Sequence, residues 1–327
     1  MEKENIQKNQ QTDIDEFELK RRELWEKRIQ IEKKLNLYEG DEFQKINGFE
    51  YLKTKTISFL LKCLGLYGRG QLNASRVNLH KIKFVYPDIH KELHGFKILF
   101  IADLHLSQTY LSWFIAGSSV LQQIQTPVDL ILLGGDYRFG YFGPEDFVVP
   151  MIKEMLEPVE SKYGIYGVLG NHDISSVREK FNEAGIHILV NEGVVINHNG
   201  AKLWISGVDV QHGFECADVA SSIIHAPKEA FNIMLSHSPE VIEEALLWGV
   251  NLYLCGHTHG GQIGLPLLGP IYVNANCKRK FASGKWEYRE MKGYTSSGLG
   301  TTDVPVRFNA QPEIVMIDIV KIPYDLK

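Results

Sequence analysis

Apolar and polar positions divide this chain into two unlike parts. Before residue 97 the apolar positions recur at helical spacing among many charges. Residues 1–20 are polar with no apolar period, a composition that predicts disorder. At 18–36, ELKRRELWEKRIQIEKKLN is rich in helix formers. Leu24, Arg28, Ile31 and Leu35 share one stripe with Trp25 and Ile29 beside it, which reads as a solvated helix packed loosely on the body. At 54–70, TKTISFLLKCLGLYGRG places Ile57, Leu60, Leu61 and Leu64 at i, i+3, i+4 and i+7, predicting an amphipathic helix.

From residue 97 the pattern changes. Runs at 96–103 (FKILFIAD), 128–136 (VDLILLGGD) and 164–169 (GIYGVL) are apolar and end in polar clusters, as buried strands do. Stretches of helical length follow them at 108–123, 145–160 and 174–185. Further runs lie at 186–196, 202–210, 231–235, 250–255 and 314–320, and Trp286 and Tyr288 alternate with Glu287 in a predicted hairpin. Strand–helix alternation argues an α/β fold. The expected organisation is a charged extension over 1–50, a basic amphipathic segment over 51–79 and one body over 80–327.

Charge sharpens this division. The net charge is −5, but residues 1–50 carry −3, residues 51–97 carry +7 and the rest −9. An acidic body has no general attraction for nucleic acid, which is excluded as a partner class. In the basic zone Lys55, Lys62 and Arg69 recur every seven residues along one edge of the predicted helix. Its apolar stretch falls short of the roughly 18 residues a spanning helix needs. An apolar face edged with Lys and Arg is suited to lying in the plane of an anionic membrane surface. The first residues, MEKENIQKNQQTDIDE, lack the apolar core of a signal peptide. Cys63, Cys216, Cys255 and Cys277 are scattered without CxxC spacing, as reduced thiols are. These features predict a peripheral protein on the cytoplasmic side of the inner membrane.

The candidate chemistry sits at the ends of the apolar runs. Asp103 and His105 follow the first, Asp136 the second and Asn171, His172 and Asp173 the third. His237 follows FNIML, and His257 and His259 follow NLYLC, one residue apart on what reads as an extended segment that points both the same way. In open α/β sheets ligands bind at the carboxyl ends of the strands. Carboxylate, imidazole and amide oxygen together suit borderline to hard divalent ions, with manganese first and zinc or iron as alternatives. The donors are too many for one ion and enough for two.

Taken in order, DLH, GGD, GNHD, SH and GHTH resemble the calcineurin-like metallophosphoesterases over about residues 96–265. GDY at 135–137, LSHSPE at 235–240, GHTHGGQIGLPLLGP at 256–270 and SSGLGTTDVPVRFNAQPEI at 296–314 resemble its YkuE/YaeI-type branch. The resemblance implies a four-layer sandwich of two mixed β-sheets flanked by helices. It implies one metal on Asp103, His105, Asp136 and His259, and another on Asp136, Asn171, His237 and His257. It further implies His172 as the group that protonates the leaving oxygen, Asp173 as its orienter, and in-line attack by a metal-bridging hydroxide. Arg138 reads as a possible phosphate ligand through its planar fork. A looser likeness, to UDP-2,3-diacylglucosamine pyrophosphatases of lipid A synthesis, implies a UDP-linked acylated sugar as substrate; a broad-specificity phosphodiesterase or phosphatase is the alternative. The apolar LPLL at 265–268 reads as a guide for acyl chains or as packing. His80, His90, His94, His187, His198, His212 and His225 match no motif and read as surface or structural, with His212 nearest to a substrate-facing loop.

Overall fold

In the computed structural model, which describes residues 2–37, 48–142, 145–265, 269–270 and 272–322, the apolar runs become strands with both faces covered. Three N-terminal helices come first: α1 (Glu2–Leu35), α2 (Gly48–Cys63) and α3 (Tyr67–Ala74). The first half of the body holds β1 (Asn78–Tyr86), β2 (Phe96–Ile101), α4 (Ser112–Leu121), β3 (Leu130–Leu133), α5 (Val148–Leu156), β4 (Ile165–Gly167), α6 (Val177–Glu183) and β5 (Ile186–Ile188). The second half begins with β6 (Glu192–His198), β7 (Ala201–Gly207), α7 (Val219–Ile223), β8 (Phe231–Leu235), α8 (Ile242–Leu247) and β9 (Leu252–Cys255). It closes with β10 (Gly264–Leu265), β11 (Gly269–Pro270), β12 (Gly284–Tyr288), β13 (Met291–Thr295) and β14 (Glu313–Lys321).

One sheet runs β1-β14-β2-β3-β4-β5 and the other β12-β13-β9-β8-β7-β6, with β10 and β11 as a small pair. Both large sheets are mixed. In the first, β14 is antiparallel to β2 while β2, β3, β4 and β5 are parallel. In the second, β7, β8, β9 and β13 are parallel, and β6 and β12 pair antiparallel at its edges.

Strand alternation builds the layers. Ile98 and Phe100 of β2 and Leu130 and Leu132 of β3 meet Leu203, Ile205, Ile233, Leu252 and Leu254 between the sheets. The alternate residues Leu99, Ile101, Ile131 and Leu133 pack outward on Phe114, Ile152, Met155 and Phe181 from α4, α5 and α6. On the opposite side Met234, Tyr253 and Cys255 pack on Val219, Ile223, Ile242 and Leu246 from α7 and α8. Helix, sheet, sheet and helix thus make four layers, with the runs apolar throughout because neither strand face meets water.

Several expectations change. The run at 186–196 is not one strand: Asn191 turns with φ 52°, ending β5 and passing the chain to β6 in the other sheet. The helix expected from residue 18 begins at Glu2 and takes in residues read as disordered. No glycine or proline interrupts it, so the helix propagates from its docked end. The helix expected over 54–70 breaks at Gly65, where φ is 67°, into α2 and α3. The hairpin around Trp286 forms as β12 and β13. β1 was not expected as a strand; it extends the first sheet beside β14. Of the LPLL loop, Leu265 closes β10 and residues 266–268 lie outside the described residues. Among the described residues, no helix is long and apolar enough to cross a membrane.

Candidate metal centre

The carboxyl ends of five strands, β2, β3 and β4 in one sheet and β8 and β9 in the other, deliver the candidate ligands to one place. Backbone bonds fasten the loops together: Asp103 N donates to Gly135 O at 3.0 Å, His105 N to Asp136 O at 3.0 Å and Gly256 N to His237 O at 2.9 Å. The turns are sharp. Asp103 (φ 51°), His105 (42°), Asp136 (54°), His257 (70°) and His259 (50°) all lie in the left-handed region. That conformation costs on the order of 1–3 kcal/mol for a non-glycine residue, and it concentrates where side-chain direction matters more than local stability. His257 and His259 therefore reach the centre from a tight turn, not from the extended segment expected. Glycine permits the closest approaches: a Cβ at Gly170 would lie 2.1 Å from Asp136 Oδ1, and one at Gly256 2.2 Å from Asp103 Oδ2.

The donors converge on each other. His105 Nε2 and His259 Nε2 are 3.0 Å apart, and His259 Nε2 is 3.8 Å from Asp103 Oδ1. His237 Nε2 lies 3.1 Å from Asn171 Oδ1, 3.2 Å from His257 Nδ1 and 3.3 Å from Asp136 Oδ2. Three groups have donor atoms within 4.8 Å of one another: Asp103, His105 and His259; Asp136, His237 and His257; and His105, Asp136 and His172. The first two follow the two ligand sets that the family resemblance implies. The third adds His172, which was not expected as a ligand.

Outer partners set the tautomers. His237 Nδ1 is 2.8 Å from Gly134 O, and His257 Nε2 is 2.5 Å from Asn274 O. A carbonyl only accepts, so these nitrogens carry protons, and the other ring nitrogen of each faces the centre. Burial, aided by its charged neighbours, holds His105 and His257 down to about 3 and His259 well below the usual histidine range. Burial opposes the charge on Asp136, but His237, His172 and His105 around it hold its carboxyl well below the usual range. Burial likewise opposes a proton on His237, yet Asp136 beside it raises that imidazole to about 9. Burial pushes Asp103 up to about 7 despite His237. Five buried imidazoles and two buried carboxyl groups held this close together gain nothing from packing. The donor set fits divalent cations between them.

Residues 96–261 match the family described as calcineurin-like phosphoesterase. The chain belongs to the calcineurin-like phosphoesterases. It is 30% identical to "Phosphodiesterase YaeI" of Escherichia coli over 69% of this chain and 82% of that protein. It is 29% identical to the metallophosphoesterase YkuE of Bacillus subtilis over 69% of this chain and 79% of that one. A metallophosphoesterase of Aquifex aeolicus is 26% identical, over 80% of this chain and 98% of its own length. Membership implies a phosphoester hydrolase dependent on divalent metal ions, for which this chain holds candidate ligand clusters.

Other expected site residues of this phosphoesterase lie nearby in different surroundings. His172 Nε2 is 3.9 Å from Asp136 Oδ2, its Nδ1 is 2.7 Å from Gly140 O, and Tyr141 stacks on the ring at 3.9 Å. Asp173 was expected to orient that ring, but its oxygens accept from the N–H groups of Gly170, Asp136 and Tyr137 at 2.7–2.8 Å. The Gly140 carbonyl orients His172, and Asp173 pins two ligand loops together. Arg138 was expected to face a phosphate oxygen. Its buried guanidinium instead donates to the carbonyls of His172, Leu37 and Tyr141.

Of three further neighbours, Arg307 and Tyr141 carried no assigned role in the sequence reading, and His212 read as surface or structural. Arg307 is buried, with Nη2 3.3 Å from His259 Nδ1 and its other donors on the carbonyls of Gly298, Gly300 and Ala310. Tyr141 has its hydroxyl 3.4 Å from Asn171 Nδ2. The His212 ring lies 4.3 Å from that of His257, with Nδ1 2.8 Å from Glu240 Oε1. The arginine gave one signal, the lone charge in VPVRFNAQP at 304–312; the tyrosine gave none.

Proposed function

We propose that this chain is a dinuclear-metal hydrolase that cleaves the pyrophosphate of UDP-2,3-diacylglucosamine to UMP and 2,3-diacylglucosamine 1-phosphate at a membrane surface. Asp103, His105, Asp136 and His259 hold one cation, and Asp136, Asn171, His237 and His257 the other. Manganese is the preferred ion for this nitrogen- and oxygen-rich set. Bound there, two cations would supply Lewis acidity toward phosphoryl oxygens and lower the pKa of a bound water. His172 faces the same cavity through Nε2 and, when both ring nitrogens carry protons, would deliver the one on Nε2 to the leaving phosphate oxygen, leaving the ring neutral with its Nδ1–H on Gly140 O. Gly140 O and Tyr141 hold its ring for that task. Arg138 and Asp173 position the loops.

One observation carries the lipid part of this reading. A cavity of about 620 Å³ has Asp136, Asn171, His172, His257 and His259 in its lining, and α2 contributes Ile57, Leu60 and Leu61 opposite Ile263 and Val304. Phosphoryl chemistry alone needs no apolar helix over the metals; a substrate with acyl chains does. The outer residues Leu52 and Phe59 of α2, Leu64 just past its end, and Leu66 and Leu72 around α3 are exposed beside Lys55, Lys62 and Arg69. Such a face suits a peripheral position on an anionic membrane, on its cytoplasmic side, where a lipid substrate enters from the bilayer.

The second reading, a phosphodiesterase of broad specificity, is favoured by the likeness to YaeI. Incubating purified protein and Mn²⁺ with UDP-2,3-diacylglucosamine and, separately, with bis-p-nitrophenyl phosphate distinguishes the two. Release of UMP at the higher kcat/KM is the expected result. Rapid turnover of the simple diester without UMP release overturns the lipid reading.

A further inference from the structure

Helix α1 precedes the family-matched span of residues 96–261, yet it grips the GNHD loop from two directions. Arg28 is fully buried. Its Nη2 donates to Asp173 O at 2.6 Å and to Gly170 O at 3.3 Å, the carbonyls that bracket Asn171 and His172. Its Nε donates to Glu32 Oε1 at 2.8 Å and its Nη1 to Asp209 Oδ1. Glu32, also buried, accepts from Ser175 N at 2.8 Å and Ser175 Oγ at 2.6 Å. Just past the helix, Leu37 O accepts from Arg138 Nη2 at 3.3 Å, and Arg138 Nε donates to His172 O at 2.8 Å. The Leu37 side chain packs with Phe142, Ile174, Val210 and Phe214.

The choice of residue argues purpose. Arg28 occupies a stripe shared with Leu24, Ile31 and Leu35, where docking alone asks for another leucine. A buried guanidinium with two buried carboxylates gives little net stability over apolar packing. What it adds is geometry: a planar fork fixes several acceptors at set separations. Elsewhere α1 docks through the half-buried Trp25 and Ile31 and through partly exposed ion pairs, Lys20 with Asp218 at 2.9 Å and Arg21 with Glu192 at 2.7 Å.

We propose that α1 is a working part of the metal centre, with Arg28 and Glu32 as positioning residues that hold Asn171 and His172 in register. The inference rests on the assignment of Asn171 as a ligand above. The ion that Asn171 contacts is then bound tightly only with α1 docked.

Two measurements on the full chain test this. Arg28→Lys keeps the buried positive charge but loses the fork. Mn²⁺ titration calorimetry is expected to show one ion bound as in the parent and the other about 10- to 100-fold more weakly, the usual effect of losing an outer-shell partner. kcat on a simple diester falls while KM and the metal-free thermal midpoint stay near parental values. A folded Arg28→Lys chain with both affinities unchanged overturns the proposal. If that variant does not fold, hydrogen exchange on the parent decides. Coupling is reciprocal, so Mn²⁺ is expected to slow exchange at 18–37 together with 168–176 and leave β1 as it was. Protection confined to 168–176 overturns the proposal. Neither readout depends on UMP release, so failure of the lipid substrate leaves this inference standing. Unchanged Mn²⁺ binding in Arg28→Lys sinks it alone.

Discussion

Asp136 divides its two oxygens between two jobs. Oδ1 accepts from His172 N at 2.8 Å, fastening one loop to the next. Oδ2 lies 3.3 Å from His237, 3.5 Å from His105 and 3.9 Å from His172. Replacing it by asparagine keeps the shape and removes the bridging charge. Asp136→Asn is expected to weaken both Mn²⁺ sites by more than the 10- to 100-fold typical of an outer-shell loss, as read by calorimetry. His172→Asn should instead keep two bound ions and lose about 10²- to 10⁴-fold in kcat, the range for a missing proton donor. A third variant touches no ligand. In Gly170→Ala the new Cβ would crowd Asp136 Oδ1 at 2.1 Å, so metal stoichiometry is expected to fall although every donor remains. The seven candidate ligands were legible in the sequence because each is a polar residue directly behind an apolar run. Arg28 was visible as a charge on an apolar stripe with Glu32 four residues on, but the carbonyls through which it holds the ligand loop are 142 and 145 residues away. No local spacing encodes such partners.

At the scale of elements, α2 has two apolar sides with different duties. Ile57 and Leu61 face the cavity, while Phe59 and Leu64 are 65% and 69% exposed. Helical periodicity marked these residues as one broad face and could not tell which part turns inward, because that depends on the break at Gly65 and on what the helix covers. The two sides are separable by mutation. Phe59→Ser with Leu64→Ser is expected to reduce flotation with anionic phosphatidylglycerol vesicles and leave hydrolysis of a water-soluble diester unchanged. Leu61→Glu should leave flotation intact and raise KM for the UDP-lipid, since a carboxylate then lies along the path proposed for the acyl chains. Loss of diester hydrolysis in the first variant, or of flotation in the second, would show that the two sides are not independent. The same distinction between local and distant causes explains the run at 186–196. Its apolar character was readable, but its division between two sheets turns on Asn191, whose side chain accepts from Asp209 N and Asp218 N at 3.0 and 2.9 Å.

On the scale of the whole molecule, the metal centre is where the two sheets are tied. His257 N, behind β9 of one sheet, donates to both carboxylate oxygens of Asp103, behind β2 of the other, at 3.0 Å. The two proposed ligand sets also each draw on both sheets, so either cation would add a cross-link between layers joined by apolar packing and by these hydrogen bonds. Without cations, two carboxyl groups and four imidazoles are left buried at close range. Binding that favours only the folded state adds about 2.7 kcal/mol per site when free ion is 100-fold above Kd. With about 2–4 °C per kcal/mol for domains somewhat smaller than this one, saturating Mn²⁺ at both sites is expected to raise the thermal midpoint by on the order of 10–20 °C over chelated protein. The transition should remain single, because the cross-link joins both sheets. Asp136→Asn should show little of this gain. If the parent shows none, cations do not couple the sheets; a low-temperature shoulder in the chelated sample would mean that one sheet comes apart before the other.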